Sequence, residues 1–451
     1  MAKDREGFGS SVAAVVAMAG SAIGLGNIWR FPYMVGQNGG AAFIVLYIVC
    51  AIFLALPIFL CEAVIGRSTQ ANTFGAMEKL APGTRWKWLG FLTVLSPLII
   101  ISYYSVVGGW SMEFFFTSIA SGFDENVTSI FQNFVSSVGS PIACHTLFLV
   151  ATAFIVYGGV KSGIEFFNKI SLPLLFILIV VLAVYSVTLP GAGAGVSYLL
   201  KPDWSTITPK NTASALGQAF FSMSLGVGTI LVYSSYMPKT SNILQAGIGT
   251  AFFDMLFAII AGFAVMPAVF AAGLEPGAGP GLIFESLPYI FVKMGAEFPV
   301  ISRIITIVFF LTITVAALTS SISLFEVGVA YLVEEKGCNR KKAVNIIFIL
   351  AWVLGTLCSL SFGPLSNVKL FNLSIFNFCD ILTSNFMMTF GALLFVIFVG
   401  WKMKKTVVRD ELTNNGSLKF NSKAFGFVYF LIRYVAPIAV LTIFVTGLLS
   451  L

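Results

Sequence analysis

Three glycines and two small polar side chains interrupt the first apolar run of the chain, at Gly20-Ser21-Ala22-Ile23-Gly24-Leu25-Gly26-Asn27. The run stays uncharged until Arg30. A helix inside a bilayer needs all of its internal hydrogen bonds because lipid offers no other partners, so clustered glycines at that depth predict a deliberate break.

A second break is predicted farther along the chain, at Ser224-Leu225-Gly226-Val227-Gly228. It repeats the order small, aliphatic, Gly, aliphatic, Gly of residues 22–26. For one segment alone, glycines that merely allow close helix packing would be an equal explanation. Two interrupted helices, one in each half of a membrane protein, instead indicate a transport site.

The composition is that of an integral membrane protein. Hydrophobic residues make up 58% of the chain and charged residues only 10%, whereas a soluble domain has roughly 25% charged residues. The formal net charge of +7 comes from basic residues in short loops between apolar segments. Membrane topology therefore explains this charge better than nucleic-acid binding does.

A spanning length of about 20 apolar residues predicts eleven helices. Lysine and arginine collect in loops that share one side if the N-terminus is cytoplasmic, which predicts a multi-pass protein of the cell inner (plasma) membrane. The outside segment 190–210, with Lys201 and Lys210, is the exception. The predicted spans are 11–35, 41–66, 89–120, 142–160, 166–188, 211–236, 243–271, 301–333, 343–361, 372–401 and 424–449.

Two loops differ in character. The long segment 272–300 is rich in Gly and Pro yet apolar, which predicts short helices over an outer vestibule, with a plain interfacial segment as the alternative. The stretch 409–422 is predicted to be a solvated cytoplasmic loop.

The two breaks would expose backbone groups of opposite character. Where a helix stops, unpaired carbonyls suit a hard cation such as sodium, and where it restarts, unpaired amides and the positive helix end suit a carboxylate. A zwitterionic amino acid would satisfy both halves. The groups concerned are the carbonyls of Gly20, Ala22 and Ile23 with the amide oxygen of Asn27, and the amides near Gly24 and Gly26.

The run GSAIGLGNIWRFPY at 20–33, followed by Asn38-Gly39-Gly40, resembles the neurotransmitter:sodium symporter family. The resemblance covers nearly the whole chain and is nearest to the shorter, eleven-helix bacterial amino-acid members with the leucine-transporter fold. Further matching motifs are Tyr103-Tyr104, Phe221 to Gly226, Tyr233 to Tyr236, Leu318 to Ser321 and Asp380 to Asn385.

The resemblance implies an all-α integral membrane fold with broken helices 1 and 6 and a single transporter domain over residues 1–451. Residues 11–188 would form the first inverted repeat, helices 1 to 5. Residues 211–401 would form the second, helices 6 to 10, and helix 11 would follow at 424–449.

The resemblance also implies two sodium sites that couple the ion to the substrate. The first would touch the carboxylate of the substrate, so that each ligand stabilises the other. For Thr319 and Ser320 the alternative is an ordinary bond from each hydroxyl to its own helix. The implied ligands are Ala22, Asn27, Ser222 and Asp254 at the first site, and Gly20, Ile23, Ala316, Thr319 and Ser320 at the second.

Asp254 is the sole ionisable residue in the run 243–274, and a charge at membrane depth indicates function because burying it is costly. In chloride-dependent members of the family an asparagine and a nearby chloride ion take its place. Ala258 stands where those members have a serine. The other residues of the would-be chloride pocket are retained, namely Tyr47, Gln218 and Ser222. We therefore predict chloride-independent transport. A further hypothesis is that Asp254 takes up a proton once sodium and substrate leave, which would link the return step to proton antiport.

Gly24 narrows the substrate class, since amine-transporting members carry an aspartate at this position. Glycine there implies an L-amino acid that brings its own carboxylate, to which the Tyr104 hydroxyl would donate. The implied lining has no charged side chain, so a neutral and hydrophobic substrate is predicted, with Leu, Met and aromatic amino acids all left open. The implied substrate residues are Ser21, Ala22, Gly24, Gly26, Ile100, Tyr104, Phe221, Ser222, Ser224, Val227, Ser320 and Leu324.

Alternating access requires a gate on each side of the site. The resemblance assigns Arg30 and Asp380 to the outer gate, with Phe221 as a hydrophobic lid. It assigns the pair Arg5 and Glu334 to the inner gate, with Tyr236 nearby; charged residues that merely sit at the membrane surface are the alternative for that pair. Phe8 replaces a tryptophan found in many relatives.

Two other function classes make different demands on the sequence. A membrane amino-acid sensor of the same fold would bind substrate with sodium but would not accumulate it. An enzyme would need a catalytic constellation, and the single histidine, His145, lies beside the start of an apolar segment. The expected partners are therefore a small-molecule amino acid, sodium ions and the lipid bilayer, with no nucleic acid and no obligate protein partner.

Overall fold

A computed structural model describes residues 6–124, 126–274, 282–294, 298–418 and 422–449. The described chain is almost entirely helical, with one short antiparallel hairpin of β1 (Lys369–Leu370) and β2 (Leu373–Ser374). The helices are α1 (Ser11–Ala22), α2 (Gly26–Gln37), α3 (Ala41–Thr69), α4 (Thr73–Leu80), α5 (Lys87–Ala120), α6 (Val127–Ser136), α7 (Gly139–Tyr157), α8 (Val160–Thr188), α9 (Gly193–Leu200), α10 (Pro209–Ser222), α11 (Thr229–Ser235), α12 (Ile243–Ala271), α13 (Ser286–Met294), α14 (Pro299–Glu335), α15 (Arg340–Leu360), α16 (Ile375–Lys402), α17 (Lys405–Thr413) and α18 (Lys423–Gly447).

Among the described residues, nine helices are long and apolar enough to cross a membrane on their own. They are α3, α5, α7, α8, α12, α14, α15, α16 and α18. The pair α1 and α2 passes the same test together, with a bend of 51° between its halves. The pair α10 and α11 lies where the sixth span is predicted. The all-α integral membrane fold is therefore confirmed, whereas the division into two inverted repeats stays a prediction.

The first break has a local cause and a tertiary one. Helix α1 stops because Ile23 turns extended, at φ −74° and ψ 107°, and its amide makes the last helical bond, to the carbonyl of Ala19. An added Cβ at Gly24 would overlap the Ser320 side chain and lie 3.2 Å from the Tyr104 hydroxyl oxygen. Glycine is needed there because α14 and α5 approach the backbone closely.

The second break occupies residues 223–228 and uses left-handed backbone. Gly226 has φ +82° and Gly228 has φ +78°. Ser224, which lies between the end of α10 and Gly226, also has a positive φ, of 52°. A Cβ at Gly226 would overlap the carbonyl oxygen of Met388 in α16. Both predicted breaks are thus present, each at a position where another helix meets the chain.

The loop predictions had mixed outcomes. In segment 272–300, the described part contains α13, a short helix as expected. The prediction of a solvated loop at 409–422 is wrong in its first part, because α17 continues to Thr413 and buries Val408 and Leu412. His145, expected beside the start of an apolar segment, lies inside α7 and is fully buried, with Nδ1 3.0 Å from the Ser105 hydroxyl oxygen.

Helix α17 is held by a buried arginine at the end of α3. Arg67 is 2% exposed, and its Nε lies 2.6 Å from Oε2 of Glu411. Its guanidinium also donates to the carbonyls of Glu411 and Ser241. Burying a charge is costly unless it is paired and hydrogen-bonded, and here both conditions are met.

Replacing this arginine should weaken the fold. Arg67→Met leaves the Glu411 carboxylate with Lys239, at 3.8 Å, as its remaining cation, and breaking a buried pair costs about 3–5 kcal/mol. We expect a clearly lower melting temperature for the detergent-purified protein. The control is Arg409→Met, whose pair with Asp410 is 3.7 Å long and at least half exposed on both sides, so the change should be within about 0.5 kcal/mol. Equal, small shifts in both variants would contradict this account.

Candidate functional site

The two breaks lie side by side, joined by the side chain of Asn27. Its Nδ2 donates to the Ser222 hydroxyl at 3.0 Å and to Oδ1 of Asp254 at 2.7 Å. Its Oδ1 accepts the amide hydrogen of Gly24 at 3.0 Å. Residues from α2, α10 and α12 that are far apart in sequence therefore meet at one point, as the proposed first sodium site requires.

Asp254 is fully buried in this cluster and its carboxylate is held by neutral donors. Oδ1 accepts from the hydroxyl of Ser222 at 2.8 Å, in addition to the Asn27 amide. Oδ2 accepts from the Tyr47 hydroxyl at 2.9 Å. The carboxylate thus lies among the very side chains that the sequence associates with a chloride pocket.

A second group of oxygen atoms surrounds the end of α1. The Thr319 hydroxyl donates to the Ile23 carbonyl at 3.1 Å and to the Ala316 carbonyl at 2.8 Å. The Ser320 hydroxyl lies 3.4 Å from the same Ile23 carbonyl oxygen. Gly20 lies in the last turn of α1, and its backbone faces Asn168. Four of the five residues predicted for the second sodium site are therefore joined by these hydroxyl-to-carbonyl contacts.

These donor sets suit a monovalent cation. Within the described ranges, no three His, Cys, Asp or Glu side chains come close enough to hold a metal ion together. The first cluster offers hydroxyl, amide and single carboxylate oxygens, and the second offers carbonyl and hydroxyl oxygens. Hard cations take oxygen ligands, and a single carboxylate matches a single positive charge.

A small cavity of about 50 Å³ lies between the breaks. Eleven of the twelve residues predicted to contact substrate line it. Ser21 does not: its hydroxyl points away and donates to the Ser323 hydroxyl oxygen at 2.7 Å. The lining consists of Ala22, Gly24, Leu25, Gly26, Ile100, Tyr104, Phe221, Ser222, Ser224, Val227, Ser320, Leu324 and Met388.

A larger outer cavity of about 270 Å³ lies above the Phe221 ring. Arg30 and Asp380, the predicted outer gate, both line it. The Arg30 guanidinium carbon lies 4.5 Å from the centre of the Phe221 ring, so cation and lid are in contact. The structure thus brings the predicted outer gate and lid together.

The inner-gate residues have other partners as well. Arg5 lies outside the described residues. Glu334 accepts from the backbone amide of Asn72 at 2.8 Å. The Tyr236 hydroxyl donates to Oε1 of Glu326 at 2.7 Å, and Oε2 of Glu326 pairs with Arg340 at 2.6 Å. The buried pair of Glu326 and Arg340 was missed from the sequence.

Three residues near the breaks were also missed, namely Leu25, Met388 and Glu62. Glu62 is fully buried in α3, and its Oε1 accepts the Gly226 amide hydrogen at 2.7 Å. It is the sole charged residue in the predicted span 41–66. The rule that singled out Asp254 would therefore have found Glu62 too.

The described geometry agrees with comparisons to known proteins. A model of the sodium:neurotransmitter symporter family matches residues 5–124 and 123–451. The chain belongs to this family. The family consists of transporters rather than enzymes. As a member, this chain is a multi-pass, sodium-dependent membrane transporter.

Relatives match over most or all of their own length. An uncharacterized sodium-dependent transporter of Bacillus subtilis, YhdH, is 36% identical, with 98% of both chains covered. The sodium-dependent serotonin transporter of Drosophila melanogaster is 26% identical over 99% of this chain and 77% of its own length. The crystal structure of MhsT in complex with L-phenylalanine matches with a TM-score of 0.89 and 39% identity, covering 98% of this chain and all of that one.

The hydroxyl of Thr319 offers a direct test of the oxygen cluster at the end of α1. Thr319→Val keeps the shape but removes one oxygen from a cation site, which should lower sodium affinity by about tenfold. The measurement is the sodium-dependent rise in melting temperature of the purified protein, since a bound ion stabilises the fold. The control is Thr312→Val in the same helix, because the Thr312 hydroxyl donates to the Val308 carbonyl of its own helix, at 2.6 Å. Identical sodium titrations for both variants would rule out this role for Thr319.

Proposed function

We propose that this protein carries out sodium-coupled secondary active uptake of a neutral, hydrophobic L-amino acid across the cell inner membrane by alternating access. The observation that carries the proposal is the junction of the two breaks at one cavity, whose lining combines glycines and hydroxyl-bearing residues with apolar side chains. The N-terminus would be cytoplasmic, as the distribution of lysine and arginine indicates.

The lining of the central cavity favours an amino acid. The amides near Gly24 and Gly26 and the hydroxyl of Tyr104 would hold the carboxylate. Among the described residues, no charged side chain lines the cavity. The amino group of a substrate without its own carboxylate would therefore be a cation at membrane depth without a counter-charge in the cavity wall. Ile100, Val227 and Leu324 present hydrocarbon to the substrate side chain, which favours a hydrophobic one.

Two sodium ions would bind beside the substrate. The first would take the Ala22 carbonyl, Asn27, Ser222 and Asp254, and would touch the substrate carboxylate. Direct contact makes the binding of ion and substrate mutually favourable, which is the thermodynamic basis of coupling. The ligands of the second would be Gly20, Ile23, Ala316, Thr319 and Ser320, whose described hydrogen bonds tie α14 to the end of α1.

Transport should not need chloride. The carboxylate of Asp254 already accepts from Tyr47 and Ser222, two of the side chains that would otherwise face a chloride ion. A fixed negative charge therefore stands beside the first sodium site, and a second anion there would be repelled.

The MhsT structure supports the substrate class, since it holds L-phenylalanine and shares 39% of its sequence with this chain. Opening and closing would then use the outer gate of Arg30 and Asp380 with the Phe221 lid, and an inner gate around Arg5, Tyr236 and Glu334.

Uptake into proteoliposomes tests the proposal. The purified protein should concentrate labelled Leu, Met or Phe inside vesicles under an inward sodium gradient, because downhill sodium entry drives the substrate uphill. Vesicles with equal sodium on both sides, and vesicles without protein, are the controls. Sodium-dependent binding without accumulation would instead indicate a sensor. The absence of both binding and uptake would contradict the substrate class.

The role of Asp254 is tested by replacing chloride with gluconate. Uptake by the unmodified protein should stay the same in gluconate. In a separate measurement, Asp254→Asn should lower sodium affinity by at least about tenfold, because a charged ligand is lost from a buried site. The matched control is Asp410→Asn on α17, where the carboxylate is half exposed. Chloride-stimulated uptake by the unmodified protein would contradict chloride independence.

A further inference from the structure

Met388 lines the central cavity from α16, a helix that contributes no other residue to it. It is almost fully buried, with 4% of its surface exposed. The other lining residues belong to the two breaks with their adjoining helix ends, to α5 and to α14. A methionine in this position is a flexible apolar wall, because its unbranched thioether chain adapts to irregular spaces.

The position of Met388 is fixed by contact between backbones. A Cβ at Gly226 would overlap the Met388 carbonyl oxygen, and a Cβ at Gly391 would overlap the Gly226 carbonyl oxygen. Helix α16 therefore packs directly on the second break, next to Val227. Glycine at positions 226 and 391 allows this close approach, and it holds Met388 at the level of the second break.

The preceding turn of α16 is unusually wide. The amide of Met388 bonds to the carbonyl of Thr383, five residues back, in a π-helical turn over Leu382–Met387. One extra residue in a turn shifts all later side chains around the helix by about 100°. This turn sets the face of α16 on which Met388 lies, and π turns of this kind are frequent at functional sites.

Met388 also borders a second small cavity. This cavity has about 50 Å³, the same as the central one, and Met388 and Phe221 line both. An apolar cavity of about 150 Å³ accommodates benzene, so the central cavity alone is too small for an aromatic side chain. The second cavity provides additional space next to the central one. Its other lining residues are Arg30, Gly217, Phe220, Ser384, Asn385, Thr389, Ile443 and Gly447.

We propose that Met388 determines the size of the substrate side chain that the site accepts, as a movable wall between the central cavity and the cavity next to Ile443 and Gly447. With Met388 in place, the site favours smaller apolar side chains. When its thioether swings aside, the two spaces join with the volume that the thioether vacates, and an aromatic side chain can enter. The inference rests on the proposed function, because it assigns selectivity within the same site.

The test is a competition of amino acids of increasing size, from Ala through Leu to Phe and Trp, for sodium-driven uptake into proteoliposomes. Met388→Ala removes the wall and should raise Trp uptake relative to Ala uptake by about tenfold, since one or two methylene groups in an apolar pocket change selectivity by that amount. Met388→Phe fills the second space with a rigid ring and should shift the same ratio about tenfold the other way.

Met387→Ala is the matched control. This neighbouring methionine is also buried, at 8% exposed, yet it lines neither cavity, so its variant should keep the substrate order of the unmodified protein. If either size-changing variant fails to fold, Met388→Leu, nearly equal in volume but branched, provides the measurement and should lower the Trp to Ala ratio.

The outcomes separate the two proposals. No sodium-driven uptake of any amino acid by the unmodified protein would overturn the proposed function and this inference with it. Normal uptake with an unchanged substrate order in the Met388 variants would overturn the inference alone, as would an equal shift in Met387→Ala.

Discussion

Backbone amides and carbonyls buried in a membrane protein must find hydrogen-bond partners, and the site of this transporter follows from where that requirement is relaxed. Two helices stop and restart within the fold, and side chains from elsewhere in the chain bond to backbone groups that the breaks leave free. Asn27 accepts the amide hydrogen of Gly24, and Glu62 accepts that of Gly226. The Thr319 hydroxyl donates to the carbonyl of Ile23. In the proposed function, the sodium ions and the zwitterionic substrate would bind to the polar groups gathered at the two breaks.

The same breaks determine how the other helices pack. Close contact of Gly24 with Ser320, and of Gly226 with the carbonyl of Met388, brings α14 and α16 against the irregular backbone. Helix α12 then supplies Asp254, the charged member of the cluster. Glycine thus acts twice, by permitting an unusual backbone conformation and by leaving space for a neighbour.

The sequence predicted what is encoded locally. The two glycine clusters, the isolated Asp254 and the apolar spans were recognisable because each is a short pattern with one physical meaning. Contacts across the fold were not: Met388 reaches the cavity only because α16 packs on Gly226, and the hydroxyl of Ser21 points to Ser323, which no spacing rule predicts. Helix α17 was missed since its polar sequence is stabilised by the distant Arg67.

The central claim is that substrate and sodium share one site and stabilise each other there. Equilibrium binding of a labelled neutral amino acid to the purified protein at several sodium concentrations tests it most directly, together with sodium binding at several amino-acid concentrations. The account predicts that each ligand raises the affinity of the other by the same factor, since coupling free energy is reciprocal. Amino-acid affinity that is independent of sodium would contradict it.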